Sequence, residues 1–232
     1  EAALTALKSA ERPLVIVGKG TAYSRAEEEV LKFVETTGLP YLATPMGKGV
    51  IPDDHPQSIA PARSHALQNA DLILLMGARL NWILHFGLPP RFNEKVRVIQ
   101  MDIAQEEIGT NVPTEVALVG DAKAITHQLN VALERNPWSY PSETTWWTGL
   151  RNKATENSNQ VAEMSKDDST PMGYYYVLSK IRDLLPRDVH IQNEGASTMD
   201  IGRTVFPNYL PRHRLDAGSF GTMGVGLGQA IA

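Results

Sequence analysis

The residues that come closest to chemistry lie in the tail DAGSFGTMGVGLGQAIA, residues 216–232. There Gly218, Gly221, Gly224, Gly226 and Gly228 surround a single methionine, Met223. Glycine has no Cβ, so another group can approach the backbone closely. Methionine supplies a soft apolar wedge. The pattern predicts a helix starting at Gly221-Thr222-Met223-Gly224, with Gly224 and Gly228 on one face and Met223 buried. Two readings stand side by side: a close helix–helix contact through small residues, or a planar ligand lying against open carbonyl and N–H groups. Just upstream, Arg203, Arg212, His213 and Arg214 read as one cationic cluster. It is either a solvated face or a seat for a phosphorylated ligand, since guanidinium binds phosphate bidentately.

A second set of candidates lies in the first half. Gly18-Lys19-Gly20 follows a short apolar run and is a partial dinucleotide fingerprint, with Tyr23 where a third glycine would stand. Arg79, Asp102 and Asp121 each follow an apolar run of their own. Arg79 could pair with a phosphate and Asp102 could accept from ribose hydroxyls, because open parallel sheets bind ligands at their carboxyl strand ends. A plain tight turn at Gly18–Gly20 is the alternative. Other chemistries are excluded more simply. No G-x-S-x-G or phosphate-loop motif occurs, and the six histidines never fall at H-x-x-x-H spacing. Zero cysteines rule out disulfides, cysteine-ligated zinc and thiol catalysis. Asp53-Asp54 reads as a solvated loop, and no metal site is expected within the chain.

These residues need elements to hold them. Leu14–Val17, Tyr41–Thr44, Leu72–Met76, Val96–Asp102 and Glu115–Val119 read as buried strands. Helical stretches fall between several of them. Ser24 and Glu27 suggest a capping box opening one helix, which Gly38 ends. Strand–helix alternation implies a Rossmann-like parallel sheet over residues 1–135, in the α/β class. Residues 136–170 read as a linker, NPWSYPSETT, and a helix. Residues 171–232 read as the start of a second α/β domain, with a strand at Val189–Gln192 followed by the loop EGAS. The net charge of −4 and the lack of basic runs argue against nucleic acid. The apolar runs are too short to span a bilayer. No initiator Met is present, nothing terminates the last helical stretch, and the sequence is expected to be a piece of a longer chain.

Taken together, G-x-M-G-x-G-x-G, the preceding R-x-R-L-D-A-G, EGASTMD, GKG-x-A-Y-S, PMGKG, ARS and GARLNW resemble the thiamine-diphosphate enzymes. GARLNW and NYLPRHRLDAG narrow the resemblance to the CoA-ester branch, 2-hydroxyacyl-CoA lyase and oxalyl-CoA decarboxylase, and WILHFGLPP and GTMGVGLG resemble the lyase more. The resemblance implies a middle domain followed by the first part of the diphosphate-binding domain. Ala196, Ser197 and Thr198 would line the diphosphate loop, and Gly221, Thr222 and Met223 would hold the pyrimidine and prop the cofactor bent. Lys19, Arg79 and Asp102 would contact ADP, and Arg203 the CoA phosphates. It further implies magnesium, held by ligands outside this sequence, together with a CoA-ester substrate and a homodimer or homotetramer. In a eukaryote the location would be peroxisomal, otherwise cytoplasmic. The proton-relay glutamate of the family is not in this sequence, so no catalytic residue is assigned within it. Ser197 and Gly173 depart from the family pattern, which has Asn at both. A non-catalytic nucleotide-binding module is the reading from another class.

Overall fold

The computed structural model describes residues 1–232, as two α/β units joined by a long helix. In the first, strands β1 (Pro13–Val17), β2 (Tyr41–Ala43), β3 (Leu72–Met76), β4 (Arg97–Asp102) and β5 (Val116–Val119) form one parallel sheet in the order β2-β1-β3-β4-β5. β1 and β3 are buried along their whole length, as strands covered on both faces must be, while β5 alternates because it is an edge. The chain leaves β1 for β2 on one side and crosses back to β3 on the other. The order therefore reverses at β1, which opens a crevice beyond the carboxyl ends.

Helices α1 (Ala2–Ser9), α2 (Lys19–Tyr23), α3 (Glu27–Thr37), α4 (Arg63–Asn69) and α5 (Ala122–Arg135) pack around this sheet. Val30, Phe33 and Val34 of α3 give it a buried stripe, and Gly38 ends it with φ 67, the left-handed value that glycine adopts without strain. The predicted capping box is not formed. Ser24 closes the short helix α2 instead, in a helical conformation of its own, and its Oγ donates to the Thr21 carbonyl at 3.1 Å. A side-chain cap needs an extended residue, so α3 starts after Ala26 without one. The helix α1 was not expected; its sequence signal is Ala3, Leu4 and Leu7, which form one buried face.

Residues 136–145, expected as a linker, lie flat on the first unit. Tyr140 N–H donates to the Thr37 carbonyl at 2.6 Å. The following helix, α6 (Thr145–Met164), is capped by the Thr144 hydroxyl and buries Trp146, Trp147 and Leu150 in the core of the first unit. The second unit holds α7 (Tyr174–Arg182), β6 (Ile191–Asn193), α8 (Ala196–Val205), β7 (Arg214–Asp216) and α9 (Val225–Ile231), with β6 and β7 paired in parallel. No helix of the chain is long and apolar enough to cross a membrane.

Candidate functional site

β6 and β7 deliver the two glycine-bearing loops to the same place. Each strand ends at a loop that opens a helix, Glu194-Gly195 into α8 and residues 217–224 into α9. Gly195 has φ 78, and the Met223 methyl carbon lies 3.8 Å from where a Cβ on Gly195 would stand. Glu194 Oε2 accepts the Gly226 N–H at 2.7 Å, pinning one loop to the other. No side chain caps α8, so the first-turn N–H groups of Ala196, Ser197 and Thr198 have no helical partner. Free N–H groups at the positive end of a helix dipole suit a phosphate. Nothing stands within 4 Å of the Cβ positions of Gly218, Gly221 and Gly224. A flat ring with an anionic tail fits this arrangement: the tail on α8, the ring over the glycines and against Met223.

Two details differ from the sequence reading. Met223 is 69% exposed, not buried. The helix begins at Val225, with Gly224 as its N-cap at φ 80, so Gly221–Met223 form the turn before it. The left-handed backbone at Gly221 and Gly224 breaks the helical pattern that glycine spacing alone suggests. Gly224 and Gly228 make no close helix contact.

The cationic cluster disperses. Arg212 has φ 66 and turns back to α2 and α3, donating to the Ala22 carbonyl at 2.7 Å and to Glu27 at 3.0 Å. His213 stacks on His190 with ring centroids 3.9 Å apart. Arg214 is 1% exposed, with burial the main force lowering its pKa to about 10. Strand alternation sends Arg214 inward and His213 outward, and this spatial split was invisible in a run of basic letters. Arg203 pairs with Asp200 at 3.1 Å and lines two cavities between the units.

The larger cavity, about 830 Å³, is walled in part by Lys48, Arg63, Arg182 and Arg203. Lys48 is held by Asp53 at 2.6 Å and donates to the Arg203 carbonyl at 3.0 Å. Arg63 donates to the Ile83 carbonyl at 2.8 Å. Burial, then Arg203, lowers its pKa to about 10, so it stays cationic at neutral pH. The smaller cavity, about 120 Å³, lies between Trp82, Ile83 and His85 on one side and Met199, Asp216 and Gly218 on the other. Asn81 and Trp82 reach across to Ser219 of the glycine loop. Neither they nor Arg63 were singled out individually in the sequence; the signal available was their place in GARLNW and ARS.

The remaining candidates line up at the carboxyl edge of the first sheet. Lys19 follows β1, with its ammonium 5.9 Å from the Tyr23 ring centroid. Arg79 follows β3 and pairs with Glu107 at 3.2 Å. Asp102 ends β4, where its Oδ1 accepts the Ala104 N–H at 2.9 Å. All three thus stand at carboxyl ends of adjacent strands β1, β3 and β4. Asp121 is spent otherwise: it caps α5, accepting the Ala124 N–H at 2.9 Å. A short polar residue before a helix does this far more often than it binds a ligand.

A parallel sheet with polar groups at its strand ends leads into a second unit where an uncapped helix terminus faces a glycine-flanked methionine, an α/β architecture. The family described as "Thiamine pyrophosphate enzyme, central domain" matches residues 1–129, more than half of the chain. The chain belongs to the thiamine pyrophosphate enzyme family. It is 56% identical over 230 residues to 2-hydroxyacyl-CoA lyase 1 of Homo sapiens, covering 99% of this chain and 40% of that protein. Identity to the 2-hydroxyacyl-CoA lyase of Oryza sativa is 45% over 237 residues, covering 100% of this chain and 41% of that one. To oxalyl-CoA decarboxylase of Escherichia coli K12 it is 41% over 231 residues, covering 99% and 40%. The chain spans about 40% of the length of these relatives.

Proposed function

We propose that this chain belongs to a carbon–carbon lyase that cleaves a 2-hydroxyacyl-CoA into formyl-CoA and an aldehyde, using thiamine diphosphate. The observation that carries the reading is the meeting of Met223 with Gly195 beside the uncapped first turn of α8. Thiamine diphosphate, when bound, supplies the carbanion-stabilising chemistry. The chain's own residues bind and orient it. The N–H groups of Ala196, Ser197 and Thr198 receive the diphosphate, the Gly221 carbonyl and the Met223 N–H face the pyrimidine, and the Met223 side chain props it. Ser197 offers a hydroxyl where the family pattern has an amide, so one polar contact there is shorter in reach. Magnesium, which neutralises the diphosphate, takes its ligands from sequence outside this chain.

Arg203 meets the phosphates of the CoA ester, a role supported by the neighbouring cations Arg63 and Lys48 along the same cavity. The parent is a homodimer or homotetramer, and peroxisomal in a eukaryote. Decarboxylation of oxalyl-CoA is the second reading, favoured by the 41% identity to that decarboxylase. The test uses the full-length parent with thiamine diphosphate and magnesium, offered 2-hydroxyacyl-CoA and oxalyl-CoA separately. Aldehyde and formyl-CoA release from the first supports the lyase. Carbon dioxide release from oxalyl-CoA alone replaces it with the decarboxylase, and turnover of neither overturns both.

The edge formed by Lys19, Arg79 and Asp102 binds ADP. Asp102 is buried enough that its carboxylate is only partly hydrated, and one oxygen is already committed to the backbone. Asp102→Ala is expected to weaken ADP binding by about 1–2 kcal/mol, the scale of a hydrogen bond to a charged group. Calorimetry giving the same affinity for both proteins removes Asp102 from the site.

A further inference from the structure

We propose that Asn81 and Trp82 are positioning residues that hold the Gly218–Met223 turn in place against α8; this rests on the cofactor reading above. Trp82 Nε1–H donates to the Ser219 carbonyl at 2.7 Å. Asn81 divides its amide between the two units. Its Oδ1 accepts the Ile83 N–H at 3.0 Å, and its Nδ2 donates to Ser219 Oγ at 2.9 Å. Both bonds land on one residue of the second unit, four positions before Met223.

The two sides of this junction differ in stiffness. Asn81 and Trp82 lie five and six residues past the end of β3, one of the fully buried strands. Asn111 Nδ2 donates to the Leu80 carbonyl at 2.8 Å and Arg63 to the Ile83 carbonyl at 2.8 Å, which ties down the segment on both flanks. His85 and Phe86 hold left-handed φ values of 50 and 57, a conformation that persists only where the surroundings over-determine it. The turn opposite has little of its own. Nothing stands within 4 Å of where a Cβ on Gly218, Gly221 or Gly224 would be, and Phe220 is 97% exposed. Its other bonds run to the end of β7, from Gly218 N–H to Asp216 Oδ1 and from Gly221 N–H to Ala217. A glycine-rich turn has many accessible backbone states, so an external clamp that removes them pre-organises whatever the turn grips. The first unit is thereby more than a nucleotide platform: it reaches over and fixes the part of the second unit that carries Met223.

The test is made in the full-length parent with Trp82→Phe, which keeps a smaller aromatic ring and deletes the N–H, and with Ser219→Ala, which deletes only the Asn81 partner. Amide hydrogen exchange across Phe220–Val225 is read before and after adding thiamine diphosphate and magnesium, alongside cofactor affinity by calorimetry. Trp82→Phe is expected to speed exchange in the turn and to weaken the cofactor by roughly three- to tenfold, the span of one neutral hydrogen bond. Exchange in β1 and β3 and the KM for the CoA ester are expected to stay as in wild type. Ser219→Ala is expected to act in the same direction and less. Unchanged exchange in the turn overturns the proposal, and so does faster exchange with unchanged cofactor affinity and turnover, which reduces the bonds to simple packing. The cofactor reading is judged separately, in wild type: if thiamine diphosphate gives the turn no protection, that reading falls and takes the positioning role with it. Protection in wild type with no effect of either variant leaves the cofactor reading intact and removes only the clamp.

Discussion

Met223→Ala in the full-length parent is expected to lower turnover by on the order of a hundredfold, while Met223→Leu keeps most of it. The role assigned to this side chain needs bulk and apolarity but no proton chemistry. Leucine conserves volume, and cores tolerate such swaps well. Alanine leaves the space beside Gly195 empty, and displacing reacting groups by about 1 Å is enough to cost a factor of that order. Stability is expected to tell a different story from rate. Met223 is largely exposed within the chain, and exposed substitutions usually change stability by no more than about 0.5 kcal/mol. Steady-state kinetics at saturating cofactor, set beside thermal melts, separate the two. Equal turnover in wild type and both variants makes Met223 an ordinary apolar residue and withdraws the cofactor site built on it.

Gly18→Val is expected to damage folding more than any change at the candidate site. A Cβ on Gly18 would stand 2.2 Å from the Gly77 carbonyl oxygen and 2.5 Å from the Ala78 Cβ. Both obstacles belong to the backbone following β3 or to a side chain stem, so neither can swing aside. Gly18 N–H also donates to the Met76 carbonyl at 2.8 Å, which holds the two strand ends at this spacing. The loss is expected to be about 3 kcal/mol, at the upper end of ordinary overpacking. Gly173→Asn is the matched control. Gly173 is the N-cap of α7, at φ −78, with nothing within 4 Å of its Cβ position. Asparagine is the better cap by a few tenths of a kcal/mol, so this change is expected to be neutral or slightly stabilising. Melting temperatures and expressed yields of the two variants check the contrast. A Gly18→Val protein that melts like wild type overturns the close-approach argument.

The strands of the first unit were legible because burial on both faces leaves nearly uninterrupted apolar runs, as in Leu72–Met76. That Lys19, Arg79 and Asp102 stand at one edge was legible for a related reason: in a parallel sheet, residues at or just past the carboxyl ends of neighbouring strands fall on the same side. Arg203, Arg212, His213 and Arg214 were misread as one patch because adjacency in sequence says nothing about strand alternation or a left-handed turn. Met223 was placed in the core because glycine neighbours suggest close packing, whereas two left-handed glycines lift it out onto a turn. Arg63 and the Asn81–Trp82 pair could not be picked out from spacing, since their partners lie 20 and more than 130 residues away. Ser24 shows the limit of local rules: the letters of a cap were present, but the residue was already closing another helix.

The anchoring of α6 makes the start of the connection part of the first unit. Trp146 Nε1–H donates to the Pro13 carbonyl at 2.9 Å, Trp147 Nε1–H to Gly38 at 3.3 Å, and Asn157 Nδ2 to Pro61 at 2.7 Å. These points run from the foot of β1 along more than half of the helix, so its first three turns travel with the first sheet as a rigid beam. The proline-bearing stretch at 136–145, which invites reading as a joint, is therefore not one. Past the beam's far end, residues 166–173 are exposed throughout, and the second unit is tied back to the first independently of α6, by Arg212 to Ala22 and Glu27 and by Lys48 to the Arg203 carbonyl.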